Sequence, residues 1–186
     1  CAASLTIDVH VKRLREKLDG TDERDKFRIR IYNMRDDVIK LECKHKSNGY
    51  IKKQSVNLSR KEYEQLMMGR RGFLLNRPEP FAHRMYLEFT QRALKPAVIV
   101  DYTREPFVFP MEDVRITFDK DIRTAYRATD IFDAKLPTYP VIDGGDMVLE
   151  VKFNRFLSTY VRSLLQPERC QRSAISKYVL CRKFEL

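Results

Sequence analysis

Basic side chains alternate with apolar ones in several short segments of this 186-residue chain. In Phe27–Ile31, Arg28 and Arg30 alternate with Phe and Ile, and Ile39–Lys44 and Val148–Phe153 follow the same pattern. Because successive side chains of a strand point to opposite faces, each segment predicts a strand with one apolar and one cationic face. Several such strands in one sheet would share a cationic face, and a concentrated cationic face requires a polyanion.

The candidate residues of this shared face come from both halves of the chain. They are Lys26, Arg28, Arg30, Lys40, Glu42, Lys44, Lys46 and Lys53 in the first half and Arg104, Arg115, Glu150 and Lys152 in the second. Arginine grips phosphate oxygens with two parallel hydrogen bonds and lysine supplies a point charge, so the set predicts a phosphate-binding site. Taken singly, Lys40, Lys44 or Lys46 is better explained as a solvated surface lysine than as a ligand, and the prediction therefore depends on the whole set.

Two carboxylates, Glu42 and Glu150, stand among these cations. Few protein ligands together with phosphate oxygens and water are typical of Mg²⁺ or Mn²⁺ sites, so both glutamates are candidate metal ligands. The metal would offset the charge that develops during phosphoryl transfer. The alternative for Glu150 is a plain charge pair with Lys152, two positions away on the same strand.

Composition limits the other possibilities. Lys and Arg number 36 against 26 Asp and Glu, and the resulting charge of +10 favours phosphate-rich partners. The four cysteines form no C-x-x-C pair, which favours free thiols in a reducing compartment and predicts a cytoplasmic protein. No apolar stretch approaches the roughly 20 residues of a membrane span, and the glycine-rich, serine-elbow and H-E-x-x-H motifs of other enzyme classes are missing from the sequence.

The pattern of elements favours an α+β fold. Strands are predicted at 3–9, 26–33, 37–46, 50–57, 97–104, 113–119 and 146–153, and helical segments at 11–18, from Ser59 to near Gly69, from Pro80, at 154–165 and at 173–182. Consecutive antiparallel strands with a charged inner face indicate a tunnel-like barrel with helices packed outside. We expect a single domain over 1–186, with a helical insertion at about 59–94 and C-terminal helices at about 154–186.

These segments make the chain resemble the vacuolar transporter chaperone (VTC) domain, a branch of the triphosphate tunnel metalloenzymes. The matching segments are Lys17–Gly20, Lys26–Asn33, Leu41–Lys44, Lys95–Glu105, Val114–Asp119, Leu149–Phe153 and Ser176–Tyr178. They cover nearly the whole chain in the order of the family.

The resemblance implies a tunnel that binds triphosphate, polyphosphate or ATP. Eukaryotic members transfer the γ-phosphate of ATP onto a growing polyphosphate chain with manganese or a similar ion, here Mn²⁺ or Mg²⁺. By matching motifs, the implied phosphate ligands are Arg28, Arg30, Lys44, Lys53, Arg104, Arg115 and Lys152. Glu150 corresponds to the metal-binding glutamate of the family, and Lys177 to a lysine near the tunnel end in its final helix, so these two are the implied catalytic residues.

The chain departs from the family at its start. The family opens with a strand that carries a Glu-x-x-x-Lys or Glu-x-Glu-x-Lys signature, which this sequence lacks, and Ser4–Asp8 replaces a Ser-Leu-Tyr-Phe-Asp-like strand. The predicted barrel would then lack its first strand. Inorganic triphosphatase activity and non-catalytic polyphosphate binding therefore remain alternatives to polyphosphate synthesis, whereas nucleic-acid binding is not expected because the cations should point inward and no RNA-stacking pattern is found.

Overall fold

The computed structural model describes residues 4–12, 24–110, 113–125, 128, 130–154, 156–165 and 174–184, with the backbone alone for 4–12 and 184. The strands are β1 (Ser4–Lys12), β2 (Arg24–Tyr32), β3 (Arg35–Ser47), β4 (Tyr50–Leu58), β5 (Lys95–Phe109), β6 (Val114–Ala125), β7 (Tyr139–Pro140) and β8 (Val148–Lys152). The helices are α1 (Arg60–Met67), α2 (Pro80–Gln91), α3 (Thr159–Leu164) and α4 (Lys177–Phe184), with a 3₁₀ helix at Gly72–Asn76 between α1 and α2.

All of these strands belong to one antiparallel sheet. Its order is β4-β3-β2-β1-β5-β6, and both β7 and β8 pair with β6 at the far edge. The α+β antiparallel prediction is confirmed. The predicted closure into a barrel is not confirmed. Among the strands described, the hydrogen-bonded order runs from an edge at β4 to an edge at β7 and β8.

The β2–β3–β4 meander follows directly from its sequence. Asn48 and Gly49 both adopt positive φ, at 47° and 80°, as expected for the tight turn that Asn-Gly favours. Apolar residues at alternate positions then fall on one face, including Phe27 and Ile29 of β2 and Leu41 of β3, all of which are buried.

Two helices cover the apolar face of this meander. Helix α1 begins with the predicted capping box, in which the Ser59 hydroxyl accepts from the Glu62 amide and the Glu62 carboxylate accepts from the Ser59 amide. Buried side chains from both helices, including Tyr63 of α1 and Met85 of α2, pack into one core with the strands. No described helix is both long enough and apolar enough to cross a bilayer.

Strand β1 occupies a central position that its sequence only weakly indicated. It pairs with β2 on one side and with β5 on the other, so it joins the two halves of the sheet. The helical turns predicted for 11–18 are wrong at Val11 and Lys12, which continue β1 because Val11 pairs with both β2 and β5 and Lys12 pairs with β5. Residues 13–18 lie outside the described residues.

Other boundaries differ from the prediction for local reasons. Strand β5 continues past Pro106 because β1 pairs with it only as far as Arg104, which leaves one edge where a residue without an N–H group is tolerated. Helix α3 begins at Thr159 rather than at 154, since Ser158 caps it by accepting from the Val161 amide at 3.2 Å.

Candidate functional site: a cationic sheet face

The register of the sheet places the predicted phosphate ligands on one face. Directly opposed residues of antiparallel strands share a face, and such pairs link the strands one after another. The pairs that carry the predicted residues are Arg28↔Glu42, Lys44↔Lys53, Arg104↔Asp119, Thr117↔Glu150 and Arg115↔Lys152. We call the side of the sheet that carries these residues the cationic face; it is opposite to the side that packs on α1 and α2.

Glu42 is the centre of the first group of charges. Its side chain is 2% exposed, and its carboxylate contacts Arg28 at 2.5 Å, Lys53 at 2.7 Å and Arg30 at 3.9 Å. Burial alone would raise the pKa of Glu42, but the three cations outweigh burial and hold the pKa below its ordinary value. The carboxylate therefore stays ionised and brings together cations from two strands, β2 and β4.

Asp119 is the centre of a second group on the other half of the sheet. It is fully buried, and Arg104 donates to both of its oxygens, at 2.6 and 2.7 Å. Lys177 contacts the same carboxylate at 2.5 Å. Burial opposes ionisation of Asp119, yet these contacts keep its pKa below the ordinary value.

Helix α4 brings Lys177 to this position from the cationic side of the sheet. Cys181 of α4 packs against Val98, Val100 and Tyr102, which share a face of β5 with Arg104. Unlike α1 and α2, α4 packs on the cationic side, because the apolar first part of β5 offers it a docking surface there.

Tyr102 connects the two groups of charges. Its hydroxyl accepts from Arg30 at 3.4 Å, and its ring lies 5.3 Å from the Arg104 guanidinium and 5.0 Å from the Lys177 ammonium. An aromatic ring attracts cations over its face, so Tyr102 holds side chains from β2, β5 and α4 around one point.

The remaining predicted phosphate ligands are more open to solvent. Lys44 and Arg115 are exposed, and the side chains of Lys53 and Lys152 are 54% and 61% exposed. The face thus combines buried, carboxylate-held cations with exposed ones. An anion lying along it would meet rigid donors at its centre and mobile ammonium groups at its edges.

The two candidate metal ligands have different surroundings. Glu150 is partly exposed and contacts Lys152 at 3.1 Å and Arg104 at 3.9 Å, so one carboxylate is open to solvent beside two of the predicted phosphate ligands. That arrangement fits a divalent ion held by one protein carboxylate plus phosphate oxygens and water. Metal binding by Glu42 stays a prediction, and Lys53 would first have to leave its carboxylate. In the part of the chain that the structure describes, no three His, Cys, Asp or Glu side chains form a metal-binding group.

The sequence analysis did not assign a role to Asp119 or to Tyr102. A signal was available, because counting by twos from Arg115 places Asp119 on the same face, and counting back from Arg104 gives Tyr102. The candidate set was built from alternating cations, so it did not include Asp119, the buried acid that holds Arg104 and Lys177.

Comparisons with known proteins identify a family and a similar fold. The family model described as the VTC domain matches residues 8–185. No curated protein sequence matches the chain significantly.

Among solved structures, the chain is similar to HpAC1 from Hippeastrum, described as a candidate adenylyl cyclase with a dominant triphosphatase activity. The TM-score is 0.56 at 13% identity, and the match covers 100% of this chain and 85% of that one. This likeness supports the fold. The PH1819 protein from Pyrococcus horikoshii OT3 matches with a TM-score of 0.42 at 13% identity, over 87% of this chain and 70% of that one.

Proposed function

The chain belongs to the VTC domain family, and from this premise we propose that its cationic face binds the phosphates of ATP and of polyphosphate for metal-dependent phosphoryl transfer. The observation that carries the proposal is the shared face itself, on which cations from three strands and one helix are gathered around Glu42, Asp119 and Tyr102. Repulsion among these cations is only partly offset by the carboxylates, and a chain of phosphates would neutralise the remainder.

Each part of the face has a proposed role. Arg28, Arg30 and Arg104 would bind phosphate oxygens through their guanidinium N–H groups. The rest of the anion would be bound by the exposed side chains of Lys44, Lys53, Arg115 and Lys152. Lys177 would bind a terminal phosphate near Tyr102, since it has three donors and Asp119 accepts from one side.

Glu150 would hold Mn²⁺ or Mg²⁺. When bound, such an ion would offset the negative charge of the transferred group. The side chains of the chain itself supply position and charge: they keep the phosphates aligned along the face and need no covalent nucleophile. In the proposed reaction, the γ-phosphoryl group moves from ATP to the terminal oxygen of a polyphosphate chain, and ADP leaves.

Hydrolysis of triphosphate is the second candidate, because the same face supports it when water replaces the polyphosphate acceptor. The name given to HpAC1 includes this activity. Non-catalytic binding is the third possibility, and it differs from both by the absence of turnover.

One incubation separates the three outcomes. Chain and ATP are combined with Mn²⁺, and long-chain polyphosphate, free phosphate and ADP are measured, with Glu150→Gln as the matched variant. Polyphosphate with stoichiometric ADP that falls at least about tenfold in Glu150→Gln supports the proposal. Free phosphate alone shows a hydrolase, and binding of ATP without any product shows a binding domain; either result overturns polyphosphate synthesis.

A further inference from the structure

The hairpin formed by β3 and β4 carries cations on both faces of the sheet at its tip. Lys44 is opposite Lys53 on the cationic face, while His45 is opposite Lys52 on the other face. The sequence contains no Asp or Glu between Glu42 and Glu62. The tip of the hairpin therefore carries basic side chains and no acidic ones.

Two large apolar side chains stand at the same tip. Tyr50 directly follows the Asn48–Gly49 turn and is 83% exposed, and Ile51 is 56% exposed. Ile51 also lines a small pocket together with four cations, namely Arg24, Lys26, Lys44 and Lys46. An aromatic and an aliphatic group thus lie next to a concentration of positive charge.

A polyphosphate chain bound along the cationic face does not account for this arrangement. Such a ligand would contact Lys44 and Lys53, but Lys52 belongs to the opposite face, and Tyr50 lies at the end of the hairpin. A planar anionic surface approached end-on would meet all of these groups together. The exposed ring and aliphatic side chain also have no function toward an inorganic polyanion.

We propose that the β3–β4 hairpin docks the chain onto a bilayer that contains anionic phospholipid. The lysines on both faces would lie among the headgroup phosphates, the amphipathic ring of Tyr50 at headgroup level, and Ile51 toward the acyl boundary. Binding of vesicles at this hairpin is independent of phosphoryl transfer, so it would persist even if the chain proved to have no turnover.

The test uses the absence of tryptophan from the sequence. The Tyr50→Trp variant carries a single fluorophore at the hairpin tip, and Tyr139→Trp carries one at another exposed tyrosine, on β7. Vesicles of phosphatidylcholine mixed with phosphatidylserine are added without tripolyphosphate, which would compete for Lys44 and Lys53 on the cationic face. We expect a blue shift of the Tyr50→Trp emission, none with phosphatidylcholine alone, and none for Tyr139→Trp.

Sedimentation with the same vesicles measures the contribution of each group. We expect Lys52→Gln to weaken vesicle binding about fivefold, the effect of one lysine near an anionic surface, and Tyr50→Ser with Ile51→Ser to weaken it further. Lys135→Gln, an exposed lysine away from the hairpin, is the matched control and should not change vesicle binding. Tripolyphosphate affinity should stay unchanged in all of these variants.

Three results would overturn the proposal. The first is an unshifted Tyr50→Trp emission with anionic vesicles. The second is a parallel loss of vesicle and tripolyphosphate binding in the hairpin variants, which would make the hairpin part of the phosphate site. The third is a Tyr50→Trp response to long-chain polyphosphate but not to vesicles.

Discussion

At the scale of single residues, the cationic face depends on two buried acids. Glu42 and Asp119 are each held by cations from other elements, and both carboxylates have a pKa below the ordinary value. A carboxylate that is more acidic in the folded chain stabilises the fold above its unfolded pKa. That stabilisation is lost as the pH falls through the lower, folded pKa.

Replacement of Glu42 by Gln should therefore make the unfolding free energy depend less on pH in the acid range. We expect Glu42→Gln to lower the unfolding free energy by about 2 kcal/mol near neutral pH, because cations are left without their buried counter-charge. The difference in unfolding free energy between Glu42→Gln and wild type should shrink as the pH falls below 4.5, the ordinary pKa of glutamate. Urea unfolding over a pH series measures this difference.

The matched control is Glu64→Gln, which removes an exposed helix ion pair with Arg60. Exposed pairs of this kind contribute about 0–1 kcal/mol, so the control should change the curve little. A difference between wild type and Glu42→Gln that is the same at every pH would contradict the ionised, cation-held state of Glu42.

Asp101 is an acid in the opposite situation. Its Oδ1 is buried and accepts no hydrogen bond from the described residues, and burial raises its pKa although Arg123 acts against this. Because the pKa of Asp101 is higher in the folded chain than in the unfolded chain, the fold loses stability as the pH rises from the unfolded to the folded pKa. We expect Asp101→Asn to stabilise the chain by about 1 kcal/mol near neutral pH, with the gain fading in acid.

Thermal unfolding at neutral and at acid pH checks this expectation. Asp133→Asn, at an exposed loop position, provides the comparison. A destabilised Asp101→Asn chain at neutral pH would show that the attraction between Asp101 and Arg123 outweighs burial.

At the scale of elements, the structure assigns different tasks to the two sides of the sheet. Helices α1 and α2 cover the apolar side, and Arg84 of α2 and Arg92, directly after α2, both contact Asp25 of β2, at 3.2 and 3.5 Å. Helix α4 instead packs on the cationic side and brings Lys177 to Asp119. The first pair of helices stabilises the meander, and α4 contributes to the site.

This division predicts that α1 affects stability but not ligand binding. Ser59→Ala removes the capping box and should lower the unfolding free energy by about 1 kcal/mol, while tripolyphosphate affinity stays unchanged. Lys61→Ala, in the same first turn and exposed, should stay within about 0.5 kcal/mol of wild type. Chemical unfolding and calorimetric titration of the same samples check both statements, and a large loss of affinity in Ser59→Ala would contradict the division.

The sequence predicted best those features that depend on interactions between neighbouring residues of the chain. The Asn48–Gly49 turn, the capping box at Ser59 and the alternation in β2 and β3 all depend on neighbours in the chain, and each was predicted. The position of β1 and the extension of β5 past Pro106 depend on pairing with distant strands. Such pairing is not encoded in any one segment.

The candidate site shows the same limit. Period-two counting placed Arg28, Arg30 and Arg104 on a common face, but their grouping around Glu42 and Asp119 requires the register between strands. The side of the sheet on which α4 docks is likewise a tertiary choice, made by the apolar surface of Val98 and Val100. Phosphate binding by these residues stays a prediction until it is measured.

At the scale of the whole molecule, the central claim is that one face of the sheet binds a string of phosphates. The charge of +10 alone would attract any polyanion to any part of the surface. The claim is more specific, because cations on the cationic face should matter and equally exposed cations elsewhere should not.

The most direct test is calorimetric titration of tripolyphosphate into two charge-matched double variants. Arg115→Gln with Lys152→Gln removes two exposed cations of the cationic face, and Lys61→Gln with Arg70→Gln removes two exposed cations of α1 and the residues after it. We predict that the first pair weakens binding by about tenfold or more, as expected for lost charge-assisted contacts, and that the second leaves it nearly unchanged. Equal losses in the two variants, or no measurable binding by the wild-type chain, would contradict the account.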